Sequence, residues 1–468
     1  MFIGRKNELT TLKEKYNSDN FELGIMYGQR RIGKTSIILE STKGYSYIYF
    51  LAREDTYSNN LVYFETEFAK FAKTPFTPHF NSFDELFDSL INYVSDSKTI
   101  IIIDELPFLA KAYPGVVSYL QSLADSLKLN EKKAKIILSG SDISFMVDLL
   151  TNRAKPLYQR ATFKIHVKPM IFTDAVEMLS GIANEDIVKY LSIFGNRPYY
   201  LDKIDKNKTF DENIMDLCFN KNNILIDAPN ITLPIGYSTN SVFTSILIAI
   251  ASHKQRVKEI ADSLRIDSNA ASTYLGRMLE GESIEKRETF KGNVKTNYYE
   301  ISDPFIRFYY RLIFKNLPLI ERGLGKDIYR TNVNVIDNVI CHGFEDVVNS
   351  YMDELNKKEK LPVVCNVFKK YDVSNSSLGR PIEIDGLAES LDGKKLIVVE
   401  CKFKNENVSA EILEHLKESV SVFEEKYEEI YYYLFSKKSF SNELLAMKDP
   451  RVKLITLDEM IGASVFRS

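Results

Sequence analysis

One stretch of eight residues has the composition and spacing of a phosphate-binding loop. The pattern GxxxxGK[ST] is filled in order by Gly28, Gln29, Arg30, Arg31, Ile32, Gly33, Lys34 and Thr35, and Ser36 follows. In such a loop successive backbone N–H groups surround the phosphates of a nucleotide, the lysine reaches the β- and γ-phosphates, and the threonine hydroxyl ligates Mg²⁺. We therefore predict that this segment binds ATP and Mg²⁺. Arg30 and Arg31 would either touch phosphate or only solvate the loop.

Two acidic residues after a second apolar run supply the other half of this chemistry. Asp104 and Glu105 directly follow residues 100–103, which are all isoleucine. Asp104 would hold Mg²⁺ directly or through water, and Glu105 would polarise the attacking water. The alternative is a solvated strand end. A third run ends at Ser139, and either Ser139 or Ser141 would sense the γ-phosphate, unless this segment is a simple turn.

The elements that must position these residues follow an alternating pattern. Short β-branched runs occupy residues 23–27, 45–51, 99–104, 134–139 and 163–167, and amphipathic stretches occupy 36–40, 83–94 and 116–128. Such alternation predicts an α/β fold in which helices cover a parallel sheet. We expect this P-loop ATPase core to span residues 1–170, and a mostly helical segment to follow at 171–235.

The composition is that of a soluble chain with packed cores. Of 468 residues, 44% are hydrophobic and 12% aromatic, which suits two to four domains. The net charge of −3 gives no global sign of nucleic-acid binding. The dispersed cysteines and histidines predict neither a zinc site nor a disulfide framework. The first residues lack the apolar core of a signal peptide and no run suits a membrane helix, so we expect a cytoplasmic protein without a membrane contact.

Segments around the phosphate loop resemble motifs of the archaeal-type ATPases and their STAND relatives, within the wider AAA+ group. Residues 2–9, with Gly4 and Arg5, are similar to the hhGRxxEL box, which lies against the adenine and ribose in that family. Residues 195–201 resemble the GGxPxYL motif of its helical lid, which implies that Pro198 lies at the nucleotide. Asn196 replaces the second glycine of that motif.

A further segment of this resemblance carries an arginine. Residues 156–160 are similar to the family's PLYGR segment, with Gln159 in place of the usual glycine. The resemblance implies that Arg160 is a finger for the γ-phosphate of a neighbouring subunit, and hence that the protein is a homo-oligomer. The alternative is an exposed arginine that caps a strand.

Residues 236–325 have the pattern of a winged helix-turn-helix. Helices are followed by a hairpin that is broken at 291–293, the pattern of a wing. A helix that begins near Asn269 would read a DNA groove, and lysines of the wing would touch phosphates. Basic residues exceed acidic ones only slightly in this region, and winged helices also serve as packing or protein contacts. DNA contact and protein contact both stay open here.

Three charged residues near the C-terminus suit phosphodiester hydrolysis. Residues 380–388 and 394–403 form a predicted hairpin around an Asp-Gly turn. Strand periodicity places Glu400 and Lys402 on one face, with Asp385 on the neighbouring strand able to approach them. Two such carboxylates can hold Mg²⁺ while the lysine positions or helps to deprotonate a water.

This pattern resembles the PD-(D/E)xK nuclease core, and the C-terminal region 326–468 is similar to the DUF234 domain that follows archaeal-type ATPases. The resemblance implies an α/β restriction-endonuclease-like domain, in which Glu345, on a preceding helix, supplies an extra acid for the metal. Residues 432–441 resemble the SKxGFS tail of the same region. Such domains either cleave DNA or persist as nucleic-acid binders.

The sequence therefore supports a leading hypothesis and two rivals. The leading hypothesis is an ATP-hydrolysing, DNA-binding protein with a Mg²⁺-dependent C-terminal nuclease-like domain, acting in DNA processing or in defence. The first rival is a STAND-type switch, which signals through protein contacts while the nuclease fold is inert. The second is an ATP-dependent transcription regulator that uses the winged helix.

Overall fold

The computed structural model describes residues 2–94, 98–292, 297–373, 379–423 and 425–462. The chain divides into two compact units. The first contains residues 1–169, 231–236 and 280–282, and the second contains residues 170–230, 237–279 and 283–468.

The first unit is built on a five-stranded sheet whose pairs are all parallel. Its strands are β1 (Glu22–Tyr27), β2 (Tyr47–Leu51), β3 (Ile100–Asp104), β4 (Lys135–Gly140) and β5 (Phe163–His166). They lie in the order β2-β3-β4-β1-β5. In a parallel sheet the carboxyl ends of neighbouring strands meet at one edge, which is where ligands bind in such folds.

Helices cover both faces of this sheet. They are α1 (Lys6–Asn17), α2 (Lys34–Ser41), α3 (Tyr57–Ala72), α4 (Phe83–Val94), α5 (Leu106–Ala112), α6 (Val116–Leu129) and α7 (Ile143–Thr151). Ile101 packs in one buried cluster with Leu120 of α6, whereas Ile102 packs in another with Ile38 of α2. Successive side chains of a strand point to opposite faces, so an all-isoleucine run is what a strand buried on both sides requires.

Beyond residue 170 the chain is mainly helical before it forms a second sheet. The helices are α8 (Phe172–Met178), α9 (Asn184–Phe194), α10 (Pro198–Leu201), α11 (Phe210–Phe219), α12 (Ala228–Thr232), α13 (Ser241–Ala251), α14 (Val257–Leu264), α15 (Ser268–Glu280), α16 (Pro304–Phe308), α17 (Phe314–Glu321), α18 (Gly325–Thr331), α19 (Val333–Lys357), α20 (Ala410–Val420), α21 (Asn442–Ala446) and α22 (Leu457–Gly462).

The second unit contains a hairpin and a five-stranded mixed sheet. The strands are β6 (Ile284–Arg287), β7 (Tyr298–Ile301), β8 (Lys369–Val373), β9 (Ile382–Glu389), β10 (Lys395–Lys402), β11 (Glu429–Ser436) and β12 (Val452–Thr456). The larger sheet has the order β12-β11-β10-β9-β8. β10 pairs antiparallel with β9 and parallel with β11. The β9–β10 turn includes Gly393, whose φ of 73° lies in the left-handed region that glycine favours.

The long helix α19 holds the second unit together. It crosses α9 so closely that a Cβ atom on Gly343 would lie 2.5 Å from the backbone oxygen of Ser192. Thr173 of α8 donates to the buried Glu354 of α19 from its backbone N–H at 3.1 Å and from its hydroxyl at 2.5 Å. The helical segment after residue 170 and the C-terminal sheet are therefore packed on one shared helix.

A charged network joins α19 to the β6–β7 hairpin. The guanidinium of Arg307, on α16, lies 2.6 Å from the Asp346 carboxylate of α19 and also pairs with Glu300 of β7. Arg287 of β6 donates from its Nε atom to Glu300 at 3.1 Å. The network therefore anchors α19 at Asp346, the residue that follows Glu345.

The tip of this hairpin differs from the wing that the sequence predicts. Phe290 is buried among the side chains of the C-terminal sheet, and its backbone N–H donates to Lys370 at 2.8 Å. The Lys291 ammonium lies over the rings of Phe423 and Tyr427, at 5.2 and 4.7 Å from their centroids. Burial, and then Lys426, lowers the pKa of Lys291 to about 8. Lys291 stays exposed while its ammonium stacks on rings of its own unit, and a phosphate contact by the lysines of the wing stays a prediction. Residue 293 of the predicted turn lies outside the described residues.

None of the helices in the described ranges combines the length and the apolar character that crossing a bilayer requires.

Candidate functional site

The phosphate loop connects β1 to α2 at the carboxyl edge of the first sheet. A Cβ atom on Gly28 would lie 2.3 Å from the backbone oxygen of Val167, so only glycine fits there. Gly33 precedes α2 with a φ of 98°, a conformation that glycine adopts without strain. The loop therefore leads its backbone N–H groups into the N-terminus of a helix, which favours an anion.

Lys34 is folded back over this loop. Its buried ammonium donates to the carbonyl oxygens of Gly28 at 3.0 Å and of Gln29 at 3.2 Å. The positive charge is therefore held by the loop's own backbone, at the place where the sequence predicts phosphate. Gln29 itself donates from its side chain to the carbonyl of Glu282 at 2.5 Å, within the first unit.

The carboxylate of Asp104 is the centre of the polar cluster at the strand ends. It is 1% exposed and accepts hydrogen bonds from the Thr35 hydroxyl at 2.7 Å and from the Tyr49 hydroxyl at 2.8 Å. Its other oxygen accepts from the Glu105 backbone N–H at 3.0 Å. Two oxygens about 3 Å apart suit adjacent ligand positions of an octahedral Mg²⁺ site. Thr35 and Asp104 therefore fit the metal role that the sequence predicts for them.

The two serines beyond Leu138 have different environments. Ser141 donates to Glu105 from its hydroxyl at 2.8 Å and from its backbone N–H at 3.1 Å. The Ser139 hydroxyl is fully buried and has no hydrogen-bond partner among the described residues. A buried hydroxyl without a partner is unfavourable unless a ligand or water completes it. Ser139 stays the better candidate for a phosphate contact, and Ser141 orients Glu105.

The C-terminal cluster lies where β9 and β10 run side by side. The last recorded pair of these strands is Val399 with Gly386, which places Asp385 opposite Glu400 in the next position. Asp385 accepts a hydrogen bond from the Cys401 backbone N–H at 2.8 Å. Glu400 and Lys402 form an ion pair on β10. The three predicted residues are thus neighbours, as strand periodicity requires.

The helix acid Glu345 reaches this cluster through a lysine. Lys370 of β8 lies 3.7 Å from Glu345 and 2.7 Å from Glu383 of β9. Burial, then the Glu400 and Glu345 charges, raises the pKa of Asp385 to about 8. Burial also raises the pKa of Glu400, against the opposing effect of Lys402. The cluster therefore concentrates more negative charge than its surroundings satisfy, which favours a proton or a cation.

The metal set predicted for this cluster is not preassembled. Within the described ranges, no three side chains of aspartate, glutamate, histidine or cysteine are grouped closely enough to hold one ion. Asp385, Glu400 and Glu345 each have a local partner instead. Mg²⁺ binding by these three acids stays a prediction.

The chain is similar to known proteins over most of its length. Residues 2–204 match the family described as an ATPase domain predominantly from Archaea, and residues 309–431 match DUF234, "Archaea bacterial proteins of unknown function". An uncharacterised protein of Methanocaldococcus jannaschii is 32% identical over 407 residues, which cover 86% of this chain and 88% of that protein. The chain belongs to the archaeal ATPase family.

Solved structures of P-loop ATPases share the fold. The Walker-type ATPase of Pyrococcus abyssi has a TM-score of 0.50 and 21% identity, over 66% of this chain and 96% of that one. The ORC2 protein of Aeropyrum pernix, solved as ADPNP and ADP complexes, has a TM-score of 0.43 and 12% identity, over 68% and 94% of the two chains. The first similarity supports the α/β P-loop architecture of this chain.

Arg5 braces the phosphate loop. Its guanidinium, buried in the first unit, donates to the backbone oxygens of Ile32 at 3.0 Å and Lys168 at 2.7 Å. Gly4 precedes it with a φ of 68°. The pair therefore supports the loop from behind, and a contact with adenine or ribose stays a prediction.

Arg160 has a partner in its own chain. Its Nε atom donates to the Asp125 carboxylate at 2.9 Å, and one terminal nitrogen donates to the Pro156 carbonyl at 3.0 Å. Gln159 has a φ of 59°, in the left-handed region, which explains why a glycine suits this position of the PLYGR motif. A role for Arg160 towards a neighbouring subunit stays a prediction.

The lid motif is part of the second unit. Pro198 begins α10, and the preceding Arg197 forms a buried ion pair with Asp303 at 2.9 Å. Tyr200 donates to the same carboxylate at 3.0 Å. The motif therefore has a packing role within its own unit, and contact between Pro198 and the nucleotide stays a prediction.

The sequence did not point to Tyr49 or to Lys370. Leu51, the last residue of β2, lies opposite Asp104 on β3, and Tyr49 lies two residues before Leu51 on the same face. An aromatic residue two positions before the end of the neighbouring parallel strand is the sequence signal that would have indicated Tyr49. Lys370 lies on β8, where the sequence shows only a lysine pair in an alternating run.

Proposed function

We propose that this protein hydrolyses ATP at residues 28–35 and acts on DNA through a Mg²⁺-dependent nuclease-like site in its C-terminal sheet. The observation that supports the first part is the convergence of Thr35, Asp104 and Glu105 at one end of β3. The second part is supported by the proximity of Asp385, Glu400 and Lys402 on paired strands.

The residues of the first unit have separate tasks in this proposal. Lys34 binds the β- and γ-phosphates, and the loop N–H groups orient them. Thr35 and Asp104 would hold Mg²⁺, which neutralises charge on the phosphates when it is bound. Glu105, held by Ser141, polarises the attacking water. The buried Ser139 hydroxyl, which has no hydrogen-bond partner among the described residues, donates to the γ-phosphate in this proposal.

The residues of the second unit suit phosphodiester hydrolysis. Asp385 and Glu400 would bind Mg²⁺, a Lewis acid for the phosphate, together with Glu345. Lys402 would orient the attacking water or help to remove its proton. The raised pKa of Asp385 reflects negative charge around it that a bound cation would neutralise.

The ATPase proposal is tested by replacing Lys34. Lys34→Ala should reduce hydrolysis to background, because phosphate binding and charge stabilisation are both lost. Lys43→Ala is the matched control, since this lysine follows α2 and pairs with Glu40 on the surface. Equal turnover in Lys34→Ala and wild type would contradict the assignment of the site.

A regulatory switch with an inert nuclease fold is the second candidate. The observation that favours it is that each C-terminal acid already has a local partner, most directly Glu400 with Lys402. Under this alternative ATP hydrolysis continues and DNA does not stimulate it. Stimulation of the ATPase by DNA, lost in Asp385→Asn, would favour the nuclease instead.

A further inference from the structure

Tyr49 occupies an unusual place beside the strand that carries Asp104. It lies on β2 opposite Ile102, in the parallel register that places Leu51 opposite Asp104. An aromatic side chain reaches a diagonal neighbour on the adjacent strand. The Tyr49 ring packs against the cluster that contains Ile38 and Ile102, and its hydroxyl extends to Asp104 at 2.8 Å.

The hydroxyl of Tyr49 donates to this carboxylate and also interacts with the side chain of Thr35. Burying a carboxylate such as Asp104 is costly unless hydrogen bonds satisfy its oxygens. Of its two hydroxyl donors, Thr35 is also a candidate ligand of Mg²⁺, so its oxygen would serve two purposes. Tyr49 is not a candidate metal ligand, so its hydroxyl serves the Asp104 carboxylate alone among the roles assigned here.

We propose that Tyr49 is a positioning residue for Mg²⁺–nucleotide binding, because it holds the Asp104 carboxylate in the orientation that faces Thr35. The inference rests on the proposed ATP site and adds a residue that lies outside the phosphate loop and the acidic strand end. Hydrogen-bond partners of metal-binding carboxylates typically change metal affinity by about 10- to 100-fold when they are removed.

The test is the gain in nucleotide affinity that Mg²⁺ provides. Tyr49→Phe removes one oxygen and keeps the ring in the core. We would measure the dissociation constant of a fluorescent ADP analogue in Mg²⁺ and in EDTA. The ratio to compare is the constant in EDTA divided by the constant in Mg²⁺. The ratio should fall by about tenfold or more in Tyr49→Phe, with the EDTA value unchanged. Tyr47→Phe, on the same face of β2 and 41% exposed, should behave as wild type.

A double variant separates positioning from packing. In an Asp104→Asn background, Tyr49→Phe should cause no further fall in the ratio, because both changes remove the same interaction. An undiminished ratio in Tyr49→Phe would overturn the inference and leave the ATP site intact. Weaker binding in EDTA as well would also overturn it, because the residue would then support the fold. Failure of the wild type to bind nucleotide would overturn the proposed function itself.

Discussion

Ser141 donates two hydrogen bonds to one oxygen of Glu105, from its hydroxyl at 2.8 Å and from its backbone N–H at 3.1 Å. Glu105 follows β3 and Ser141 follows β4, which are neighbouring strands. Glu105 also has a φ of 55°, in the left-handed region. The side chain that would polarise water is therefore fixed by the next strand as well as by its own backbone.

Loss of the Ser141 hydroxyl should slow hydrolysis. Ser141→Ala removes one of the two bonds, worth about 1–1.5 kcal/mol, which corresponds to about a tenfold fall in kcat. The KM for ATP should change little, because Ser141 is not assigned to the nucleotide. Steady-state phosphate release measures both constants. An increase in kcat would instead mean that Ser141 restrains Glu105 in an inactive orientation.

The crossing of α9 and α19 should not tolerate a methyl group. Gly343→Ala would place a Cβ atom 2.5 Å from the Ser192 backbone, so the helices must separate, at a cost of about 1–3 kcal/mol. Gly276→Ala is the matched control, because this helical glycine of α15 has open space around it. The control should gain about 0.5–1 kcal/mol. Thermal unfolding compares the two, and equal midpoints would contradict the close crossing.

The Arg307 network should contribute strongly to stability. Arg307→Ala leaves Glu300 and Asp346 without one of their cationic partners, and we expect a loss of about 2–4 kcal/mol. Lys70→Ala removes an exposed lysine that pairs with Glu67, so a loss below about 0.5 kcal/mol is expected. Thermal denaturation measures both changes. Similarly small losses in the two variants would contradict this prediction and show that water screens the charges of the Arg307 network.

The contribution of Asp385 to the stability of the protein should fall as the pH rises. Its pKa is raised from 3.8 to about 8, so between these values the native protein keeps a proton that the unfolded chain releases. Native stability contributed by this proton is full below about pH 4 and is lost as the pH approaches 8. Asp385→Asn removes the titration, so its advantage in melting temperature over wild type should grow across this window.

The measurement needs EDTA, which keeps metal ions from binding the cluster. Asp372→Asn, which changes an exposed aspartate on β8 in the same way, is the matched control for the substitution itself. A constant difference between Asp385→Asn and wild type at all pH values would contradict the raised pKa.

Local patterns were sufficient for the elements of the first sheet. The run predicted at 99–104 forms β3 (Ile100–Asp104), and the run at 163–167 forms β5 (Phe163–His166). Both are confirmed, β3 because a strand buried on both faces must be apolar throughout, and β5 as an edge strand on which Lys164 is exposed. The helix predicted at 36–40 is longer, Lys34–Ser41, because it begins within the phosphate loop.

Contacts between distant segments could not be read from the sequence. The hydroxyl of Tyr49 reaches a carboxylate 55 positions away, although its own strand shows only an alternation typical of an edge. The hairpin tip with Phe290 and Lys291 has the composition of an exposed wing, yet it packs on the C-terminal sheet. In both places tertiary packing decides the role of residues whose local pattern is ordinary.

The most direct test of the central claim is DNA cleavage by the purified full-length protein. Wild type and Asp385→Asn would be incubated with linear, circular and branched DNA, with Mg²⁺ or EDTA and with or without ATP. We predict Mg²⁺-dependent cleavage of at least one DNA form by wild type, its loss in Asp385→Asn, and retention of ATP hydrolysis in that variant. Absence of cleavage of every form by a wild-type protein that still hydrolyses ATP would contradict the nuclease proposal and favour the regulatory switch.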